Sequence, residues 1–237
     1  MRPRSVWYAL AGAILALGAP AGLLILRELY TPRPVMTELL SDPLTYLYVL
    51  GSTSIVLATL GYIVGRQADR LAQLSETDVL TGLPNRRALT RRLAEEFRRS
   101  VRYGTPLSLM LVDVDGLKQV NDREGHAAGD RAIRHVADAI ARGLRGTDFG
   151  ARWGGDEFAV VLPSTRLEAA HASAERLVSR VRERSRDGRY SAGTVSIGIA
   201  SFDPLRAAHT DVESLVRAAD GALYRAKGSG RNRVQAA

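Results

Sequence analysis

Two long segments without a charged residue set the first limit on how this chain folds. They are residues 6–26 and 44–64, and each contains 21 residues. As an α-helix, such a segment is about 31 Å long, roughly the thickness of the hydrocarbon core of a membrane. We therefore expect two transmembrane helices at about these positions, ahead of a globular part.

Two other interpretations of the apolar segments are open. The sequence ALGAPAG, residues 16–22, resembles a signal-peptide cleavage site, so that the first segment could be removed and leave one span. Alternatively, both segments could be core helices of a soluble protein. The first apolar segment is longer than that of a usual signal peptide, which favours membrane insertion.

The arginines that flank the two segments predict their orientation. Arg2 and Arg4 precede the first segment, and Arg66 and Arg70 follow the second. Because cytoplasmic flanks are enriched in Lys and Arg, both ends are expected in the cytoplasm. We therefore predict a multi-pass protein of the inner (cell) membrane whose C-terminal part is cytoplasmic.

The pattern divides the chain into a membrane anchor, residues 1–64, a helical linker, 65–77, and a globular domain, 78–237. The linker has apolar or amide side chains at a/d-like spacing (Val64, Gln67, Leu71, Leu74), although a plain solvated linker is the alternative.

The domain alternates helical and strand patterns. Helices are expected at 85–103, 129–143, 167–186 and 211–227, and strands at 107–115, 148–153, 157–163 and 194–202. This mixture indicates an α/β sandwich with a central sheet.

Acidic residues follow one strand and precede another. Asp113 and Asp115 end an apolar strand, whereas Asp156 and Glu157 stand directly after two glycines at a hairpin corner. Mg²⁺ is usually bound by one or two carboxylates together with substrate phosphates, and phosphoryl transfer needs such a metal. Gly154 and Gly155 would let the backbone approach a substrate closely. Taken alone, however, the corner is also compatible with a solvent-facing turn.

Composition excludes some chemistry. The chain has no cysteine, so disulfides and thiolate metal sites are excluded. Its net charge of +8 comes from 31 Arg and 2 Lys against 25 acidic residues. Arginine suits phosphate recognition on small ligands as well as nucleic acid. Aromatic residues make up only 6% of the chain, which argues against a protein that stacks on nucleic-acid bases.

Four motifs occur in order: DVLTGLPNRRAL (78–89), DVDGLKQVNDREGHAAGD (113–130), GGDEF (154–158) and ALYRAKGSGRNRV (222–234). Together they strongly resemble the GGDEF family of diguanylate cyclases, over about residues 75–235. The resemblance implies a domain similar to the palm of nucleotidyl cyclases, with a central, mostly antiparallel sheet flanked by helices. It also implies that two GTP molecules are condensed into cyclic di-GMP, with release of two pyrophosphates, in a two-fold homodimer. A catalytically inactive domain that binds GTP or cyclic di-GMP as a receptor is the alternative.

The same resemblance implies a role for each matching residue. Asp113 and Asp156 match the ligands of Mg²⁺ or Mn²⁺, together with the backbone carbonyl of Val114. Glu157 matches the residue that orients or deprotonates the 3′-hydroxyl. The residues implied to bind the substrate are Gly116, Leu117, Lys118, Asn121, Asp130, Gly154, Gly155, Lys227 and Arg231.

Within that substrate set, the resemblance makes Asn121 and Asp130 the readers of guanine. Lys227 and Arg231 would clamp phosphate, and the backbone of residues 116–118 would cradle the triphosphate. The residues alone favour an interpretation of Asn121 and Asp130 as helix caps. Lys227 and Arg231 could merely complement the C-terminus of a helix.

Arg145 and Asp148 form an Arg-x-x-Asp pattern upstream of the glycine corner, and Arg176 lies on a later helix. The resemblance implies that these three residues bind cyclic di-GMP at an inhibitory site. The alternative is that Arg145 and Asp148 are a surface ion pair, which would contribute no more than ~1 kcal/mol.

Overall fold

The computed structural model describes residues 4–30, 34–186, 193–204 and 211–237. Arg2, one of the residues used for the predicted orientation, lies outside this range. The chain forms two compact units, residues 1–75 and residues 76–237.

The N-terminal unit is helical. Its elements are α1 (Arg4–Leu15), α2 (Gly18–Tyr30), α3 (Val35–Ser41) and α4 (Pro43–Leu74). Two stretches, Ser5–Tyr30 and Pro43–Arg70, are long and apolar enough to cross a membrane. Most of their large apolar side chains are exposed, for example Ile14, Leu15, Leu47, Ile55 and Val56. This is unlike a core helix of a soluble protein, whose apolar face is covered.

The first apolar segment is not one regular helix. Its backbone tightens between α1 and α2, where the Leu17 and Ala19 amides bond to carbonyls three residues earlier rather than four. Pro20 explains the break, because its ring lacks an N–H and clashes with the carbonyl of Ala16 in a continuous helix. By contrast, α4 runs without interruption through the second apolar segment and residues 65–74.

Two glycines let α1 and α4 approach at backbone distance. A Cβ atom built on Gly12 would lie 2.3 Å from the carbonyl oxygen of Leu57, and one on Gly61 would lie 2.3 Å from that of Tyr8. Close backbone approach at a glycine is typical of helix pairs in membranes. At the other end of the unit, Arg27 on α2 forms ion pairs with Glu38 on α3 (2.6 Å) and with Asp42 (3.1 Å).

The C-terminal unit is built on a five-stranded sheet. Its strands are β1 (Leu107–Val114), β2 (Phe149–Gly154), β3 (Glu157–Pro163), β4 (Val195–Phe202) and β5 (Val234–Ala236), in the order β2-β3-β1-β4-β5. All neighbouring pairs are antiparallel except β4 and β5. The helices are α5 (Arg86–Tyr103), α6 (Leu117–Glu124), α7 (His126–Gly143), α8 (Leu167–Arg186) and α9 (Val212–Gly228).

The sheet is covered on both faces, which explains the uninterrupted apolar run in β1. All eight residues of β1 are buried. Alternate residues, such as Met110 and Val112, pack in a core with α7 and α8, whereas Leu109 and Leu111 pack in a second core with α5 and α9. The expected α/β architecture with a mostly antiparallel sheet is therefore confirmed.

The structure also contains short elements that the sequence pattern did not indicate. They are α3, α6 and β5, and α7 begins three residues before the predicted residue 129. The predicted helix at residue 85 has a clear physical start, because the Asn85 side chain accepts a hydrogen bond from the Ala88 amide at 3.1 Å.

The close approach of α1 and α4 predicts the effect of two matched substitutions. Gly61→Leu should destabilise the helix pair by about 1–3 kcal/mol, because the new side chain meets backbone that cannot rotate away. Gly51→Leu, on the same helix but with no atom within 4 Å of the added Cβ, should have little effect. The measurement is the loss of helical circular dichroism when the detergent-solubilised chain is titrated with sodium dodecyl sulfate. Equal transitions for the two variants would contradict this account of the packing.

Candidate active site

The end of β1 and the start of β3 meet at one corner of the sheet. Asp113 on β1 stands opposite Glu157 on β3 in the antiparallel register. The Val114 amide donates a hydrogen bond to the Asp156 carbonyl oxygen at 3.1 Å. The four residues predicted for metal binding and catalysis, Asp113, Val114, Asp156 and Glu157, are therefore adjacent. The glycine corner is thus hydrogen-bonded to the central strand β1, which a turn that only faces solvent would not need to be.

Arg152 holds the glycine corner in place. Its guanidinium donates to the Gly155 carbonyl oxygen from Nε (3.0 Å) and Nη2 (2.6 Å). The same group pairs with the Asp78 carboxylate at 3.1 Å. Burial by itself raises the pKa of Asp78, but hydrogen bonds from Thr81 and Arg152 outweigh burial and leave that pKa below its ordinary value. Asp78 is therefore a stable anion that anchors the arginine.

Asp113 is buried and paired with a lysine. Its side chain is only 9% exposed, and one carboxylate oxygen lies 2.7 Å from the ammonium of Lys227 on α9. Burial raises the pKa of Asp113 to about 6, although Lys227 opposes this change, and the negative charges of Asp156 and Asp115 add to it. The two residues that the sequence assigned to metal and to phosphate thus lie in direct contact.

The segment between β1 and α6 has the geometry expected of a phosphate cradle. Gly116 has φ +71° and precedes the first residue of α6. The first amides of a helix have no intrahelical acceptor and favour anions. The Leu117 side chain is buried in the core, so only its backbone can face a ligand, whereas Lys118 is exposed.

Asn121 packs against Gly129, the residue that precedes Asp130. A Cβ atom on Gly129 would lie 2.0 Å from Oδ1 of Asn121, so the Asn121 side chain occupies the space that the glycine leaves. Asn121 lies inside α6, and Asp130 lies inside α7. Neither residue stands at a helix N-cap, which removes the alternative that they are helix caps. Asn121 on α6 thus lies next to the residue before Asp130 on α7, an arrangement that is compatible with both residues reading one base.

Arg231 follows α9 in a turn with an unusual backbone. Its φ is +60°, that of Asn232 is +49°, and the Arg231 amide donates to the Ala226 carbonyl oxygen at 3.1 Å. The Arg231 side chain is exposed. Lys227 lies in the last turn of α9, as the helix-terminus alternative requires, but its ammonium contacts Asp113.

The three residues predicted for an inhibitory site line one cavity. Arg145, Asp148 and Arg176 surround a cavity of about 50 Å³ whose apolar wall includes Met110 and Leu162. Asp148 accepts a hydrogen bond from the Arg145 backbone amide at 2.9 Å. Within the described part of the chain, no ion pair joins the Arg145 guanidinium to Asp148, so the alternative of a simple surface ion pair does not describe this turn.

A fourth arginine at this cavity was missed from the sequence. Arg180 also lines it, and its guanidinium donates to the Ala139 carbonyl oxygen at 3.3 Å. Arg180 lies one helical turn after Arg176, and this spacing was the signal that could have identified it.

The donors at the corner fit a hard divalent cation. Across the described residues there is no cluster of three or more His, Cys, Asp or Glu side chains suited to a metal. Two carboxylates and a backbone carbonyl are nevertheless what Mg²⁺ uses when substrate phosphates and water complete its coordination. The contact between the Lys227 ammonium and Asp113 shows that this carboxylate already binds a positively charged group, as a metal ligand must.

Comparison with known proteins decides the family. The model of the family described as "Diguanylate cyclase, GGDEF domain" matches residues 75–233. The chain belongs to the GGDEF family. All the residues that the sequence assigned to the active and inhibitory sites fall inside the matched region.

Individual GGDEF proteins agree with this assignment. Diguanylate cyclase DosC of Escherichia coli is 42% identical over 161 residues, which are 67% of this chain and 34% of DosC. The crystal structure of the GGDEF domain of DgcB from Caulobacter crescentus, in complex with c-di-GMP, is 36% identical with a TM-score of 0.63, covering 68% of this chain and 95% of that one. Diguanylate cyclase SiaD from Pseudomonas aeruginosa, solved with its activator SiaC, is 35% identical with a TM-score of 0.63, covering 95% of this chain and 89% of that one. The chain thus spans about a third of the length of DosC.

The raised pKa of Asp113 predicts a pH dependence of stability in EDTA. Folded Asp113 holds its proton to a higher pH than unfolded Asp113, so its contribution to the free energy of unfolding falls as the pH rises from about 4 to about 6. Asn at position 113 does not titrate in this range, so the free energy of unfolding of the Asp113→Asn chain should exceed that of the wild type by about 1–2 kcal/mol at pH 8. Urea unfolding followed by tryptophan fluorescence at several pH values measures the difference between the two chains.

The control for the pH series is Asp138→Asn, which changes an exposed carboxylate on α7. Its difference from the wild type should stay within about 0.5 kcal/mol across the range. A wild-type chain that gains stability relative to Asp113→Asn as the pH rises would contradict the assignment.

Proposed function

We propose that this chain is a diguanylate cyclase, which condenses two GTP molecules into cyclic di-GMP and releases two pyrophosphates. The observation that carries the proposal is the corner where Asp113, Asp156 and Glu157 meet beside Lys227 and the start of α6. It combines acids for metal and proton chemistry with cations and amides for phosphate, which phosphoryl transfer requires.

Each group at the corner has a role in this reaction. Asp113, Asp156 and the Val114 carbonyl would hold Mg²⁺ or Mn²⁺, which when bound neutralises the charge that develops on the transferred phosphate. Glu157 accepts the proton of the attacking 3′-hydroxyl or orients that hydroxyl. Arg231, Lys227 and the amides of residues 116–118 bind the triphosphate. A triphosphate offers the Lys227 ammonium a second anionic partner besides Asp113.

Base selection is assigned to Asn121 and Asp130. A carboxylate accepts hydrogen bonds from guanine N1–H and the 2-amino group, while an amide can serve N3 and the same amino group. Adenine lacks this donor pattern and would leave the acid unpaired, which costs about 1–3 kcal/mol. The packing of Asn121 against Gly129, the residue before Asp130, supports GTP as the preferred substrate.

We further propose that two copies of the chain act together in the membrane. Each active site presents one GTP, and each 3′-hydroxyl attacks the α-phosphate of the other, so two sites must face each other across a two-fold axis. The exposed apolar helices support a multi-pass location in the cell membrane, with the catalytic unit in the cytoplasm. Anchoring and the continuous α4 helix would raise the local concentration of partners.

The cavity with Arg145, Asp148 and Arg176 supports feedback by the product. Guanidinium groups pair with O6 and N7 of guanine and stack on its ring. The cavity lies on the α7 and α8 side of the sheet and involves none of the groups assigned to catalysis. Cyclic di-GMP bound there would inhibit without competing directly with GTP.

The first test of the proposal is turnover itself. The detergent-solubilised full-length chain with Mg²⁺ and GTP should yield cyclic di-GMP, identified by mass, and ATP should give far less of its own cyclic product. Asp113→Asn and Asp156→Asn should lower the rate by at least about a thousandfold, because a neutral amide is a poor ligand for Mg²⁺.

Asp138→Asn, which changes an exposed carboxylate outside the site, is the matched control for turnover and should retain the wild-type rate. Turnover within about tenfold of wild type in either active-site variant would refute the assignment of these acids. Binding of GTP without any product in the wild type would favour the inactive receptor instead.

The second test concerns inhibition. Cyclic di-GMP should reduce the rate of the wild-type chain non-competitively with GTP, and Arg145→Ala should raise the half-inhibitory concentration by about tenfold or more while changing the initial rate little. The matched control is Arg142→Ala, which removes an exposed arginine that pairs with Asp138 and does not line the cavity. Superimposable inhibition curves for Arg145→Ala and Arg142→Ala would remove the feedback role.

A further inference from the structure

The carboxylate of Asp115, which directly follows β1, binds three donors within the protein. Its Oδ1 accepts a hydrogen bond from the Ser196 hydroxyl at 2.7 Å. Its Oδ2 accepts one from the Thr194 hydroxyl at 2.7 Å and one from the Asn232 backbone amide at 3.1 Å. The Asp115 amide also donates to the Thr194 carbonyl oxygen at 3.0 Å. Both carboxylate oxygens are thus already used inside the fold.

These bonds join three parts of the chain that are distant in sequence. Asp115 ends the central strand, Thr194 and Ser196 lie at the start of β4, and Asn232 lies in the turn between α9 and β5. That turn also carries Arg231, and Lys227 precedes it in the last turn of α9. The Asp115 carboxylate therefore ties the end of β1 to the segment that bears both cations of the site.

The turn needs such an anchor because its backbone is strained. Arg231 and Asn232 both have positive φ angles, +60° and +49°. In this region a residue other than glycine is sterically disfavoured, Arg more than Asn, and the conformation persists where surrounding contacts impose it. The hydrogen bond from the Asn232 amide to a charged acceptor is such a contact, and charge-assisted hydrogen bonds are the stronger kind.

We infer that Asp115 is a positioning residue that fixes the 229–233 turn and thereby sets where Arg231 and Lys227 meet the triphosphate. The inference rests on the proposed function, in which those two cations bind GTP. It separates Asp115 from its neighbour Asp113, although both acids end the same strand. Asp113 pairs with the Lys227 ammonium, whereas Asp115 is held by two hydroxyls and a backbone amide.

Substitutions at Asp115 should change the turn and GTP binding in a graded way. Asp115→Ala removes all three acceptor contacts, whereas Asp115→Asn retains one carbonyl oxygen that can accept from the Asn232 amide. We expect Asp115→Ala to raise the KM for GTP by about 10- to 30-fold and to lower kcat by less, with Asp115→Asn in between. Hydrogen exchange of the amides at 229–233 should accelerate in the same order, while exchange at 117–124 stays unchanged.

A double-mutant cycle and a structural control separate positioning from a general loss of stability. In a chain that already carries Arg231→Ala, adding Asp115→Ala should raise the KM by clearly less than it does in the wild-type chain, because only Lys227 remains of the two positioned cations. Ser108→Ala is the control, since Ser108 is buried at the opposite end of β1 and bonds to Thr165 and Ser201. It should lower the thermal midpoint without changing the KM or the exchange at 229–233.

The experiment uses the full-length chain in detergent, with GTP affinity also measured by equilibrium dialysis. Unchanged hydrogen exchange at 229–233 in Asp115→Ala would overturn the inference. The same holds if the two substitutions raise the KM independently, so that their fold-changes multiply in the double variant. A wild type that binds GTP without converting it would refute the proposed cyclase alone, since dialysis still reports the effect of Asp115. A wild type that neither binds nor converts GTP would overturn both.

Discussion

The antiparallel pairing of β1 with β3 is the constraint on which the site depends. β1 is buried on both faces and lies between β3 and β4, so its path is determined by two cores at once. The register with β3 brings the last residues of β1 opposite Glu157. Because the acids are placed by the same hydrogen bonds that hold the core together, their relative position is as rigid as the sheet itself.

This rigidity has an energetic cost at Asp113. A carboxylate at the end of a buried strand is desolvated, and even the Lys227 ammonium does not restore its ordinary pKa. Further along the same chain segment, Asp115 is compensated by hydroxyls and an amide. Two acids two residues apart therefore differ. Both carboxylate oxygens of Asp115 accept hydrogen bonds, whereas the anionic form of Asp113 stays destabilised by burial even with the Lys227 ammonium beside it. Such a contrast is typical of functional sites, where stability is given up for reactivity.

Much of this arrangement could be predicted from the sequence, and the failures have physical causes. The uninterrupted apolar run predicted the buried strand β1, and the periodicity of apolar residues predicted the amphipathic helices. The series of motifs located the acids, Asn121 and Asp130. The helix α6 was missed because its eight residues are largely polar and too few to show a period. The bond between Arg152 and Asp78 joins residues 74 positions apart, and no local pattern encodes such a contact. Arg180 could not be singled out among 31 arginines, because only the folded structure shows that it lines the cavity.

Gly129 has a consequence for how such a site can change over evolutionary time. Asn121 fills the volume that the missing side chain of Gly129 provides, and a glycine cannot become smaller. Any longer side chain at residue 121 must therefore find its room elsewhere, by moving α6 against α7. If Asn121 reads the base as proposed, a single substitution there is a poor route to a new base preference, because the side chain and the packing of α6 on α7 would have to change together. A glycine that contacts no ligand through a side chain would then constrain which nucleotide the proposed site accepts.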